Sequence, residues 1–64
     1  MYVVFSERFE NYKPLRYFYG YYEDQNRANE IALQLNEAFN DISDATFCVI
    51  HIDDVEELKE WGIQ

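Results

Sequence analysis

The sequence predicts a small α+β domain of element order ββαβα, a three-stranded antiparallel sheet in the order 2-1-3 packed under one helix, with a short C-terminal helix. Three observations predict it. Two aromatic, β-rich segments open the chain, at residues 1–5 and 15–22. Ala28, Ile31, Ala32, Leu35 and Phe39 then recur at helical spacing. A third run, residues 46–52, is apolar at nearly every position and precedes an acid-rich end.

The first strand begins with Tyr2, Val3, Val4 and Phe5. Residues 6–14 are polar and broken by Asn11 and Pro14, which predicts a long hairpin loop. The second strand carries Tyr17, Phe18, Tyr19, Tyr21 and Tyr22, with Gly20 inside it as the mark of a bulge or a close backbone approach. Strand alternation places Tyr17, Tyr19 and Tyr21 on one face and Phe18 and Tyr22 on the other. Asp24 is the expected N-cap of the long helix, because its carboxylate can accept orphan N–H groups of the first turn. The helix should stop near Asn40, and residues 40–45 read as a polar link. Asp54 followed by Glu57 resembles a capping box for the last helix, with Val55, Leu58 and Trp61 on one side and Gly62 ending it in a left-handed conformation. A helix carrying the chain from the second strand to the third makes those two parallel and leaves the first strand central.

Sixty-four residues accommodate one domain, residues 1–64. A domain of this size buries about 60% of the surface its unfolded chain exposes, and its stability margin is thin. Disulfides, a metal or a partner chain are the usual supplements. With one cysteine, Cys48, and one histidine, His51, neither an intrachain disulfide nor a zinc site of soft ligands is expected. These two residues stand three apart on one strand and point to opposite faces, so they do not form a dyad. A metal at Asp53, Asp54 and Glu57 would lack the glycine turn and regular oxygen spacing of a calcium loop. The expectations are no cofactor, no enzyme activity, and a partner chain as the missing stabiliser. The tyrosine row at 17, 19 and 21 suits a protein interface, and with the thin core it predicts a homodimer, by face-to-face packing or by edge pairing of the third strand.

The net charge is -8. Residues 1–27 hold four acids and four bases and sum to zero, so the whole net charge falls on residues 28–64, which hold nine acids and Lys59. The acids are Glu30, Glu37, Asp41, Asp44, Asp53, Asp54, Glu56, Glu57 and Glu60. Such a field repels nucleic acid and membrane surfaces and attracts basic partners, which disfavours bases stacking on the tyrosines. Acids near a helix start also stabilise the helix dipole, a structural role that accounts for residues 53–57 better than for Glu60. No segment has the length and apolarity of a membrane span, and nothing resembles a signal peptide, so the cytoplasm is the expected location.

The chain resembles the small acidic orphan proteins of bacteriophages and other mobile elements. The resemblance rests on its length, on Met1-Tyr2-Val3-Val4, on Tyr19-Gly20-Tyr21-Tyr22-Glu23, and on Ala28-Asn29-Glu30-Ile31-Ala32-Leu33-Gln34-Leu35-Asn36. It implies a non-enzymatic inhibitor or modulator of a basic host protein, nucleic-acid-binding in some cases, acting by imitating the charge of DNA. The competing expectation is an accessory interaction module whose charge serves solubility alone.

Overall fold

The computed structural model describes residues 1–41 and 44–64. Its elements follow the expected order: β1 (Tyr2–Glu10), β2 (Lys13–Tyr22), α1 (Gln25–Phe39), β3 (Thr46–His51) and α2 (Glu57–Glu60). The sheet order is β2-β1-β3, with β1 central and antiparallel to both neighbours. Ile42 and Ser43, within the expected link of residues 40–45, lie outside the described residues.

β1 is central because it can be covered on both sides. Val3, Val4 and Phe5 are buried and alternate between two small cores. Val4 meets Ala28 and Ala32 of α1, with Tyr2, Tyr22, Ile31, Leu35, Phe47 and Val49 around them. Val3 and Phe5 meet Ile52 and Ile63 on the opposite face, with Cys48, Ile50 and Leu58 packed against them. The two alanines let the helix approach the sheet closely.

Local chemistry sets the helix ends. Asp24 accepts from the Asn26 N–H at 3.3 Å and caps α1 at its start, while Asn40 is the C-cap. Before α2, a Glu57 carboxylate oxygen accepts from the N–H groups of Asp53 at 2.6 Å and Asp54 at 2.9 Å. Asp54 in turn accepts from the Glu56 N–H at 2.9 Å, so the expected capping box is formed on the Glu57 side, while the Asp54 carboxylate bonds one residue earlier than the motif has it. Gly62 has φ +70°. Its N–H donates to the Lys59 carbonyl, and the Ile63 N–H donates to the Leu58 carbonyl five residues back, the two bonds of a Schellman ending. Leu58 and Ile63 also meet in the core beneath, the apolar contact that accompanies this motif. Val55 and Trp61 remain exposed, so Leu58 alone of the expected trio seats α2.

The hairpin departs from expectation. The long loop at residues 6–14 is instead a two-residue turn, Asn11-Tyr12, with β1 running to Glu10 and β2 starting at Lys13. Both turn residues have positive φ, 53° and 67°, the sign pattern of a type I′ turn. β3 pairs only with residues 2–7 of β1, so the hairpin tip projects beyond the three-stranded part of the sheet. Both faces there are wet, which explains a polar sequence that reads as loop.

The C-terminus adds a further strand-like contact. Segment 53–62 crosses the face opposite α1, and Ile63 bridges Arg16 in parallel on the outer edge of β2. Gln64 donates to the Arg16 carbonyl and accepts from the Phe18 N–H, both at 2.9 Å. The two crossovers, β2 to β3 by α1 and β3 to residue 63 by α2, run in opposite directions over opposite faces and so share one hand.

Candidate functional site

The tyrosine row expected at 17, 19 and 21 is split between the two faces. The β1–β2 register pairs Val4 with Gly20 and Phe5 with Phe18, leaving Tyr19 as the extra residue of a bulge. Tyr17, opposite Ser6, stays on the α1 face. Tyr19 shares that face, its ring edge-on to Phe47 at 5.9 Å. Tyr21, opposite Val3, lies on the other face, and its ring is 4.6 Å from Phe18. The rings of Tyr17, Phe18, Tyr19 and Tyr21 are all exposed. No single face carries the three tyrosines, so the packing surface they were expected to form together does not exist.

The nine carboxylates likewise fall into two groups. Glu30 and Glu37 lie on the exposed side of α1, and Asp41 and Asp44 between α1 and β3. Asp53, Asp54, Glu56, Glu57 and Glu60 belong to the segment crossing the opposite face. Eight of the nine are exposed, and Glu57 is half-buried. Asp54 and Glu57 are occupied in capping. Glu30 sits 3.3 Å from Arg27, and Glu56 3.8 Å from Lys59. The Asp53 carboxylate is 3.9 Å from His51 Nδ1. Among the described residues, Glu37, Asp41, Asp44 and Glu60 have no cation within ion-pair distance.

The two acidic groups converge along the sequence at β3. Asp41 and Asp44 precede the strand, and Asp53, Asp54 and Glu56 follow it. α1 flanks the outer edge of the same strand. The Asn36 side-chain amide donates to the Phe47 carbonyl at 3.0 Å and accepts from the Phe47 N–H at 2.7 Å, as a neighbouring strand would. Met1 and Ile52 exchange main-chain bonds. The alternation then turns the main-chain groups of Thr46, Cys48 and Ile50 toward β1 and those of Phe47, Val49 and His51 outward. Asn36 occupies the first of these, and Val49 and His51 have no main-chain partner among the described residues.

The other edge is closed from Pro14 to Phe18. Pro14 and Arg16 face outward on β2, where Pro14 has no N–H to offer and Gln64 takes Arg16 and Phe18. Arg16 reinforces the closure. Its Nε donates to a Glu7 carboxylate oxygen at 2.6 Å, a terminal nitrogen donates to the Trp61 carbonyl, and the guanidinium stands 6.0 Å from the Trp61 ring centre.

Sequence reasoning passed over Phe9 and Tyr12. Both are exposed, and with Asn11 they line an open concavity at the hairpin tip. The available signal was Asn11, a residue favoured where a hairpin turn needs positive φ. Cys48 is half-buried on the face opposite His51, and burial, aided by the nearby Glu7 carboxylate, pushes its thiol pKa up while Arg16 pulls it down. No helix is long and apolar enough to cross a membrane among the described residues. No protein-family model matches the chain, and neither the curated proteins nor the solved structures contain a match to it.

Proposed function

We propose that this protein is a non-enzymatic acidic binding protein that inhibits or modulates a partner bearing a basic surface. The observation that supports this reading is the placement of charge. The entire net charge falls on residues 28–64, and eight of the nine carboxylates there are exposed. Six of the nine have no ion-pair partner among the described residues. Helix capping accounts for Asp54 and Glu57 and gives no reason for Glu37, Asp41, Asp44 or Glu60. A nucleic-acid-binding protein is the partner class whose surface such a field fits best. Because the carboxylates stand on both sides of a thin sheet, imitation of DNA charge would involve the strip running past β3 rather than one broad plane.

The test is capture from a bacterial lysate on immobilised protein, followed by a salt gradient. Basic proteins that are retained at low salt and released at moderate salt support the reading, since exposed charges act over a Debye length of about 8 Å at physiological ionic strength. Reversing Glu37, Asp44 and Asp53 to lysine, singly and together, should weaken retention by steps. Retention of no basic protein would favour the accessory module, with the charge serving solubility.

A further inference from the structure

We propose that the outer edge of β3 is a strand-addition site, and that its occupant is an extended, lysine- or arginine-bearing segment of the partner. The inference rests on the reading that the partner is basic, and adds to it the place and mode of contact.

The two edges of the sheet differ in what stands beside them: the C-terminus occupies β2 from Arg16 to Phe18, whereas acidic residues flank β3 at both ends. On β2, Pro14, Gln64 and the Arg16 clamp close the stretch from Pro14 to Phe18. On β3, Asn36 terminates pairing at Phe47, and beyond it the N–H and C=O groups of Val49 and His51 point outward. Natural sheets blunt such edges with lysine, proline, a bulge or a covering helix or loop. On β3, α1 reaches the edge through Asn36 at Phe47; the strand itself carries no lysine or proline, and its flanking charges are all acidic. Two outward residues offer two donors and two acceptors, a short ladder of the kind that fixes the register of an added strand. Asn36 acts as a stop, so that the incoming segment is seated toward the Asp53 end.

Charge selects the occupant. Asp41 and Asp44 stand before the strand, Asp53 and Asp54 after it, and Glu37 follows the Asn36 that faces the edge. A second copy would bring the same carboxylates to the same edge, and each copy carries a net charge of -8. A basic strand instead places its cations beside Asp44 and Asp53 while its main chain satisfies Val49 and His51.

The experiment uses the full chain and a synthetic probe, an acetylated and amidated octapeptide of alternating lysine and valine. Amide exchange at single residues is followed by NMR with and without the peptide at low salt. Strand addition should slow exchange at Val49 and His51 by tenfold or more at saturation. Thr46, Cys48 and Ile50, already bonded to β1, should change little. The His51→Pro variant, which removes one outward donor and no bond to β1, should bind the peptide several-fold more weakly. Binding without slowed exchange at Val49 and His51 would overturn strand addition and leave the basic-partner reading standing. Absence of binding at low salt would overturn both. Slowing of the same two amides as the free protein is concentrated would identify a second copy as the occupant and overturn the inference.

Discussion

The rings of Phe18 and Tyr21 lie 4.6 Å apart on one face of the sheet, although residues three apart on a regular strand point to opposite faces. The bulge at Tyr19–Gly20 reverses the parity of β2 between them. The substituent that makes this possible is the missing one at Gly20. A Cβ there would meet Tyr22 Oη at 3.2 Å and Cε2 at 3.3 Å. The Tyr22 ring packs over that spot and joins the core of Val4, Ala28 and Ala32. Gly20→Val adds branches where the ring lies and should cost about 1–3 kcal/mol, the usual penalty for overpacking. A urea titration measures it. An unchanged midpoint would show that Tyr22 can leave without loss.

Tyr12 should respond in the opposite direction. It is fully exposed at φ 67°, a conformation that costs a side-chain-bearing residue roughly 1–2 kcal/mol. Tyr12→Gly creates the Asn-Gly pair favoured by type I′ turns, at some cost in chain entropy. The net expectation is stabilisation of about 0.5–1 kcal/mol, seen as a higher denaturation midpoint at constant slope. A lower midpoint would mean that the ring contributes contacts that its exposure does not suggest.

Arg16 joins three parts of the chain through Glu7, its own strand and the Trp61 carbonyl. Lysine keeps the charge and loses the fork that bonds two acceptors at once. Arg16→Lys should therefore cost about 1 kcal/mol and act locally. Amide exchange at Phe18 and Gln64, which the chain end protects, should quicken more than exchange in α1. Uniform quickening across the molecule would indicate a global role instead.

Cys48 makes a prediction about pH. Burial first, and the Glu7 carboxylate second, raise its pKa above the ordinary thiol value. An acid whose folded pKa is raised favours folding while it is neutral. That contribution is whole below the unfolded thiol pKa and is lost as pH rises through the folded one. The stability difference between wild type and Cys48→Ala should accordingly shrink on the alkaline side and stay level from pH 5 to 7. Alkylation of Cys48 at pH 8 should run slower than that of a free thiol. A difference that grows with pH would contradict the direction of the shift.

Features confined to a few neighbouring residues were legible in the chain itself. Asp24 caps α1, Glu57 accepts from the Asp54 N–H while Asp54 accepts from the Glu56 N–H, and Gly62 takes the left-handed position, each because donor and acceptor lie within five residues. The periodic stripe from Ala28 to Phe39 sufficed for the helix, and the chain-reversing helix between two strands sufficed for the order β2-β1-β3. The charge behind the proposed function was legible too, as a count and a division at residue 28. Its distribution in space was not. Whether Tyr21 sides with Tyr19 or with Phe18 depends on which residue of β1 each one faces, and a single extra residue inverts the answer. Asn36 pairing with Phe47, and Gln64 with Arg16, are bonds between residues far apart in the chain that exist only once the sheet and both crossovers are assembled. Those contacts close β2 from Pro14 to Phe18 and leave Val49 and His51 open on β3. An edge is a relation between strands rather than a property of any residue in one, so only the tertiary structure could decide it.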